Sequence, residues 1–135
     1  MQKDNVKAFK NELRNYNYYQ SRVVSLGNSI EFCYDRLGGV RGVDPSKEPL
    51  HSAPNKEYEY QLREQIEVYA QKKALFEAKL KYIDEILGKM EMSLKQAVIS
   101  VYAEGKQIRR VADIYYLSPM GLAKRMNKAI ERALD

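Results

Sequence analysis

Residues 108–134, IRRVADIYYLSPMGLAKRMNKAIERAL, decide the fold of the C-terminal part of the chain, because they hold two amphipathic segments on either side of a turn. Ala112 is a small residue in the middle of the first segment, and Leu117 follows it by five positions. Ser118 and Pro119 are typical of a helix start, since serine caps the first turn and proline suits the first helical position. The spacing predicts a helix-turn-helix, in which the small residue lets two helices cross closely and Leu117 fills their junction.

The second of these helices repeats its apolar residues at spacings of three and four. The residues predicted to be buried are Leu122, Met126, Ala129, Ile130 and Ala133. In a helix-turn-helix, the exposed N-terminal edge of the second helix enters the major groove of DNA. The residues predicted to contact base edges there are Pro119, Met120, Ala123, Lys124 and Asn127. Of these, Lys124 has an obvious hydrogen-bonding partner, which is guanine.

The charge of residues 105–130 favours a polyanionic partner. This window holds six lysines and arginines against Asp113 alone, and its excess of five equals the net charge of the whole chain, +5. Contacts to phosphate supply affinity without sequence preference. The residues predicted to contact phosphates are Lys106, Arg109, Arg110, Arg125 and Lys128.

Two earlier segments carry apolar residues at heptad spacing and flank a Gly/Pro-rich loop at about 38–56. The first stripe is Val6, Phe9, Leu13, Tyr16, Val23, Ile30, Tyr34 and Leu37; the second is Leu62, Ile66, Tyr69, Phe76, Leu80, Ile83, Leu87 and Met90. Stripes of matched length can bury each other, so residues 1–90 are predicted to form a long antiparallel helical hairpin of coiled-coil type. Residues 91–135 are predicted to form the helix-turn-helix domain, and the fold class is all-α.

The composition excludes several classes of function. The 135 residues include one cysteine, Cys33, and one histidine, His51. We therefore expect no disulfide framework, metal, cofactor or nucleophile–base pair, and predict that the protein is not an enzyme. No apolar run approaches the roughly 20 residues of a membrane span. The charged N-terminal stretch lacks a signal-peptide core, so the expected location is cytoplasmic, without membrane contact.

Residues 94–134, LKQAVISVYAEGKQIRRVADIYYLSPMGLAKRMNKAIERAL, resemble region 4 of bacterial sigma factors, a helix-turn-helix domain that reads a promoter element. The matching parts are AVISVYAEG, VADI, LSPMGLAKRM and NKAIERAL. With a helical hairpin before it, the chain is similar to small phage and prophage regulators of Gram-positive bacteria, the RinA and ArpU type of late-gene activators. In sigma region 4, glycine is usual at the position of Tyr116, so either a left-handed backbone at Tyr116 or a different turn is expected.

This resemblance implies a phage-type transcriptional regulator in the cytoplasm of a bacterial host cell. It would recognise a promoter-region duplex through the helix that starts at Pro119. Two alternatives remain open: a small terminase-like DNA-packaging subunit, and an RNA-polymerase-binding interaction module without DNA specificity. Double-stranded DNA is the expected partner, and RNA polymerase and a second copy of the chain are further candidates.

Overall fold

The computed structural model describes residues 2–41 and 56–135, and every regular element in this part of the chain is a helix. The elements are α1 (Gln2–Arg14), α2 (Tyr16–Arg41), α3 (Lys56–Gly88), α4 (Met92–Val98), a π-helical turn π1 (Ile99–Ala103), α5 (Ile108–Ile114) and α6 (Pro119–Leu134). The predicted all-α class is confirmed.

The helices form two compact units, whose limits differ from the predicted domain boundary near residue 90. Unit 1 combines Met1–Gln20 with Ala78–Asp135, and unit 2 is Ser21–Glu77. The difference arises because α1 packs against α6 and π1. Val6, Phe9 and Leu13 of α1 are buried in this unit, which draws the start of the chain into the same core as its end.

The first helical segment is interrupted at Asn15, where the sequence predicted an unbroken stripe. The Asn15 side-chain Nδ2 donates a hydrogen bond to the backbone oxygen of Asn11 at 3.0 Å. Its backbone N–H donates to the oxygen of Glu12 at 3.1 Å, only three residues back. An asparagine side chain that bonds to the nearby backbone competes with the helical ladder, and here α1 ends and α2 begins.

This interruption changes the face of α2 that is buried. The buried positions after it are Tyr19, Leu26 and Cys33, which are seven residues apart. Of the predicted seam positions on α2, Leu37 alone is fully buried as expected. The residues that lie partly buried or exposed instead are Tyr16, Val23, Ile30 and Tyr34.

In unit 2, α2 and α3 pack through a small apolar cluster. Cys33, Leu37 and Leu62 are buried together, with Tyr58, Ile66 and Tyr69 packed against them. Further along, the Lys73 Cε lies 3.8 Å from where a Cβ on Gly27 would stand, so the Lys73 side chain passes close to the α2 backbone at Gly27. These contacts pair later residues of α2 with earlier residues of α3, so the two helical stretches run in opposite directions within this unit.

Residues 38–41 and Lys56, which the sequence predicted to be part of a loop, are helical. Helix α2 continues through residues 38–41, although glycine costs about 1 kcal/mol relative to alanine inside a helix. Burial of Leu37 against Leu62 stabilises the preceding turn of α2 and favours its continuation. Residues 42–55, which contain most of the predicted loop and His51, lie outside the described residues.

Candidate nucleic-acid interface

The start of α6 is fixed by its first residues, as the sequence predicts. Ser118 occupies the N-cap position, and its Oγ accepts a hydrogen bond from the Gly121 N–H at 3.0 Å. Pro119 takes the first helical position, where its missing N–H has no intrahelical partner to lose. This capped end sets the direction in which the N-terminal edge of α6 is presented.

The turn between α5 and α6 closes around a left-handed residue. Tyr116 has a φ of 57°, and its N–H donates to the oxygen of Asp113 at 3.2 Å. The Leu117 N–H donates to the oxygen of Ala112 at 3.0 Å. These two bonds form a Schellman motif, in which glycine usually takes the left-handed position. Of the two conformations expected at Tyr116, the structure has the left-handed one.

Replacing Tyr116 with glycine is expected to stabilise the protein by about 1 kcal/mol, since a left-handed conformation costs a non-glycine residue roughly 1–2 kcal/mol. The gain is smaller than that cost because glycine also makes the unfolded chain more flexible. Tyr116 is 96% exposed, so little packing is lost. Thermal unfolding should show a melting temperature about 3 °C higher. The matched control is Tyr116→Ala, which removes the ring but keeps the strain; equal stability of the two variants would contradict the prediction.

Behind the turn, the facing sides of α5 and α6 are buried in the core of unit 1. Val111 and Ala112 are buried on α5. The buried residues of α6 are Leu122, Met126, Ile130 and Ala133. Leu117 is only half-buried, so it lies at the margin of this core and not fully inside it. The apolar face thus holds α6 against the rest of unit 1 and leaves its other side open.

The predicted base-contacting residues divide into two groups. Pro119, Met120 and Lys124 are exposed, with Met120 at 70%, and Ala123 beside them is half-buried. Asn127 is also half-buried, and its Oδ1 is buried without a hydrogen-bond partner among the described residues. Asn127 lines a groove beside α1, away from the open first turns of α6.

The five predicted phosphate contacts are all exposed on unit 1. They are Lys106, Arg109, Arg110, Arg125 and Lys128. Lys106 forms an ion pair with Glu104, with 3.0 Å between Nζ and Oε2. Because both side chains are largely in water, this pair is weak and can exchange for a phosphate.

A row of cations on α1 was missed by the sequence analysis. The groove lined by Asn127 is also lined by Glu131 of α6 and by Val6 of α1. Four cations of α1 complete its lining: Lys3, Lys7, Lys10 and Arg14. Their spacing of four, three and four places them on one face of a helix. That spacing is a signal in the sequence, but nothing local indicates that this face lies beside α6.

Contacts with the start of α2 and the end of α3 hold α1 in place within unit 1. The Tyr19 hydroxyl donates a 2.8 Å hydrogen bond to Oε2 of Glu12, and Lys79 Nζ lies 3.7 Å from the same oxygen. The pKa of Tyr19 is raised to about 12, mainly by burial and secondly by the hydrogen bond to Glu12. The phenol therefore stays a neutral donor at physiological pH. The Phe9 ring meets the Tyr82 ring edge-on, with 6.4 Å between their centroids.

Neither a metal centre nor a membrane segment emerges from the described ranges, 2–41 and 56–135. Within them, no three or more His, Cys, Asp or Glu side chains cluster in a way that could bind a metal ion. Their helices are also too short or too polar to cross a membrane.

No protein-family model, curated protein or solved structure significantly matches the chain. Its function is therefore inferred from the geometry and charge of unit 1.

Proposed function

We propose that the protein is a phage-type transcriptional regulator that binds a promoter-region DNA duplex through α5, the following turn and α6. The observation that carries this proposal is the exposed N-terminal edge of α6, which is flanked by cations while its opposite face is buried. A capped helix presented in this way after a short turn is the arrangement that enters a major groove. Pro119, Met120 and Lys124 are the exposed residues of this edge.

The charges around the edge support the choice of DNA as the partner. Arg109 and Arg110 lie in the first turn of α5, and Arg125 and Lys128 lie on α6. All four are exposed and available for phosphate oxygens. In this proposal they position the protein on the duplex, while Lys124 contributes base preference through guanine.

Unit 2 is the proposed site of protein contacts, either with a second copy of the chain or with RNA polymerase. Several large apolar side chains of this unit are exposed, and burial of such side chains would favour a protein partner. They are Val24, Phe32, Tyr34, Tyr60, Val68 and Leu75. Their location on both α2 and α3 supports a role of this unit in setting oligomeric state.

The direct test is binding of the purified chain to duplex fragments from its own genome and to a random duplex, measured by fluorescence anisotropy. Five phosphate contacts predict that log K falls with log salt with a slope of about −4.5 or steeper. A fourfold increase in salt, from about 50 to about 200 mM, then lowers affinity roughly 500-fold. One genomic fragment should bind more tightly than the random duplex.

Absent or salt-insensitive binding would contradict the proposal. Light scattering on the same sample separates the two rivals. Ring-sized assemblies would favour a DNA-packaging subunit, whereas a monomer or dimer fits the regulator. Co-purification with RNA polymerase in the absence of DNA affinity would favour the polymerase-binding module.

A further inference from the structure

The cations of α1 lie beside the part of α6 that continues its exposed edge. On α6, Met120, Lys124, Asn127 and Glu131 follow one another at spacings of four, three and four, so they form one stripe along the helix. The first two are exposed and belong to the N-terminal edge. The last two line the groove shared with α1.

The groove has the charge of a polyanion-binding surface. Four cations line it, against the single carboxylate of Glu131. Within the part of the chain that the structure describes, none of the four forms an ion pair. Two of the four have another contact: Lys10 Nζ lies 5.0 Å from the centre of the Tyr102 ring in a cation–π contact, and Arg14 Nη1 donates a 2.8 Å hydrogen bond to Oδ1 of Asn11. The Arg14 bond is exposed to solvent, so the guanidinium can exchange it for a phosphate.

The length of the row suits a nucleic-acid backbone. Residues 3–14 of a helix span about 16 Å at 1.5 Å per residue. Neighbouring cations of the row are therefore about 5–6 Å apart along the helix, so each can reach a different phosphate. Asn127 adds an amide to the same surface, and an amide offers two N–H donors that a phosphate oxygen can accept.

We propose that the groove between α1 and α6 is a second DNA-contact surface, in which Lys3, Lys7 and Arg14 bind phosphates of the duplex whose major groove receives the edge of α6. This inference rests on the proposed function, and it assigns Asn127 to the phosphate backbone and not to a base. The α1 surface adds three ionic contacts to the five predicted from the sequence. Eight contacts correspond to a salt slope of about −7.2 for the wild-type chain.

The test is the triple variant Lys3→Gln, Lys7→Gln, Arg14→Gln, which leaves Lys10 on Tyr102 and keeps good helix formers on α1. Its salt slope should become less negative by about 2.7. At about 0.1 M salt this corresponds to a roughly 500-fold loss of affinity, if the affinity extrapolated to 1 M is unchanged. The loss should be equal for the preferred and random duplexes, because phosphate contacts carry no sequence information.

The matched control is Lys56→Gln, Lys72→Gln, Lys81→Gln, which removes three exposed cations of α3 that do not line the groove. This variant has the same net charge as the test variant and should keep the wild-type slope. Glu131→Gln provides an opposite test, because removal of the groove's carboxylate should raise affinity at every salt concentration. Circular dichroism verifies that each variant retains its helical content.

The outcomes separate this inference from the proposed function. If the wild type binds DNA and the α1 triple variant has the same slope, or a loss no larger than that of the control, the groove does not contact DNA and only this inference is overturned. If the wild type binds no duplex, both proposals fall. If the triple variant instead keeps its DNA affinity and loses binding of a poly-glutamate peptide, the groove is a site for an acidic protein segment. That result would also overturn the inference.

Discussion

Replacing Ile130 with alanine is expected to lower the free energy of unfolding by about 3 kcal/mol. Ile130 is 0% exposed in the core of unit 1, and removal of buried methylene groups costs both their burial and the cavity that remains. The loss is a large part of the 5–15 kcal/mol that is typical of domains. Urea unfolding followed by circular dichroism at 222 nm measures it.

The chain offers a matched control for this substitution. Ile114, at the end of α5, is 70% exposed, and Ile114→Ala should change stability by less than about 0.5 kcal/mol. The two variants differ only in the environment of the deleted atoms. Similar losses of unfolding free energy in both variants would mean that α6 does not bury the face assigned to it. The assignment of the opposite side of α6 to the proposed DNA interface would then be incorrect.

The second large effect is on DNA binding, where Lys124→Ala and the pair Arg109→Gln, Arg110→Gln should act differently. Loss of a base contact at Lys124 should cost about 1–3 kcal/mol on the preferred duplex and little on a random one. Loss of two phosphate contacts should weaken binding to both duplexes alike and make the salt slope less negative by about 1.8. Competition titrations at several salt concentrations separate the two patterns.

Lys81→Ala, on α3, is the control for removal of one exposed lysine, and it should leave both duplex affinities nearly unchanged. If the Lys124 and Arg109/Arg110 variants reduce specificity by the same factor, the division into base and phosphate contacts is incorrect. Since all three side chains are exposed, none of these substitutions is expected to affect the core of unit 1.

The C-terminal helices were predictable because their signals are local. Ser118 and Pro119 mark the start of α6 in the sequence, and the Ser118 cap is present in the structure. Spacings of three and four also identify Leu122, Met126 and Ile130 as buried. Each of these signals depends on residues within one or two helical turns, where intrinsic preferences and amphipathic pattern act together.

The buried face of α2 and the groove of α1 could not be predicted in the same way. A heptad pattern assumes an uninterrupted helix, and the local bonds of Asn15 break α1 from α2 and shift the register to Tyr19, Leu26 and Cys33. Packing of α1 on α6 joins residues at opposite ends of the sequence, and no neighbouring residue encodes it. The spacing of residues along α6 therefore places Asn127 on the open edge, yet it lines the groove that also holds Lys7 and Lys10.

The packing of the first helix on the last has a consequence for how the polypeptide folds as it leaves the ribosome. Helix α1 ends at Arg14 and α6 begins at Pro119, so on the order of a hundred residues must be translated before the two can meet. Until then Val6, Phe9 and Leu13 lack the apolar surface of α6. Unit 1 can be completed only after α6 has been translated, whereas the helices of unit 2 have their packing partners much earlier.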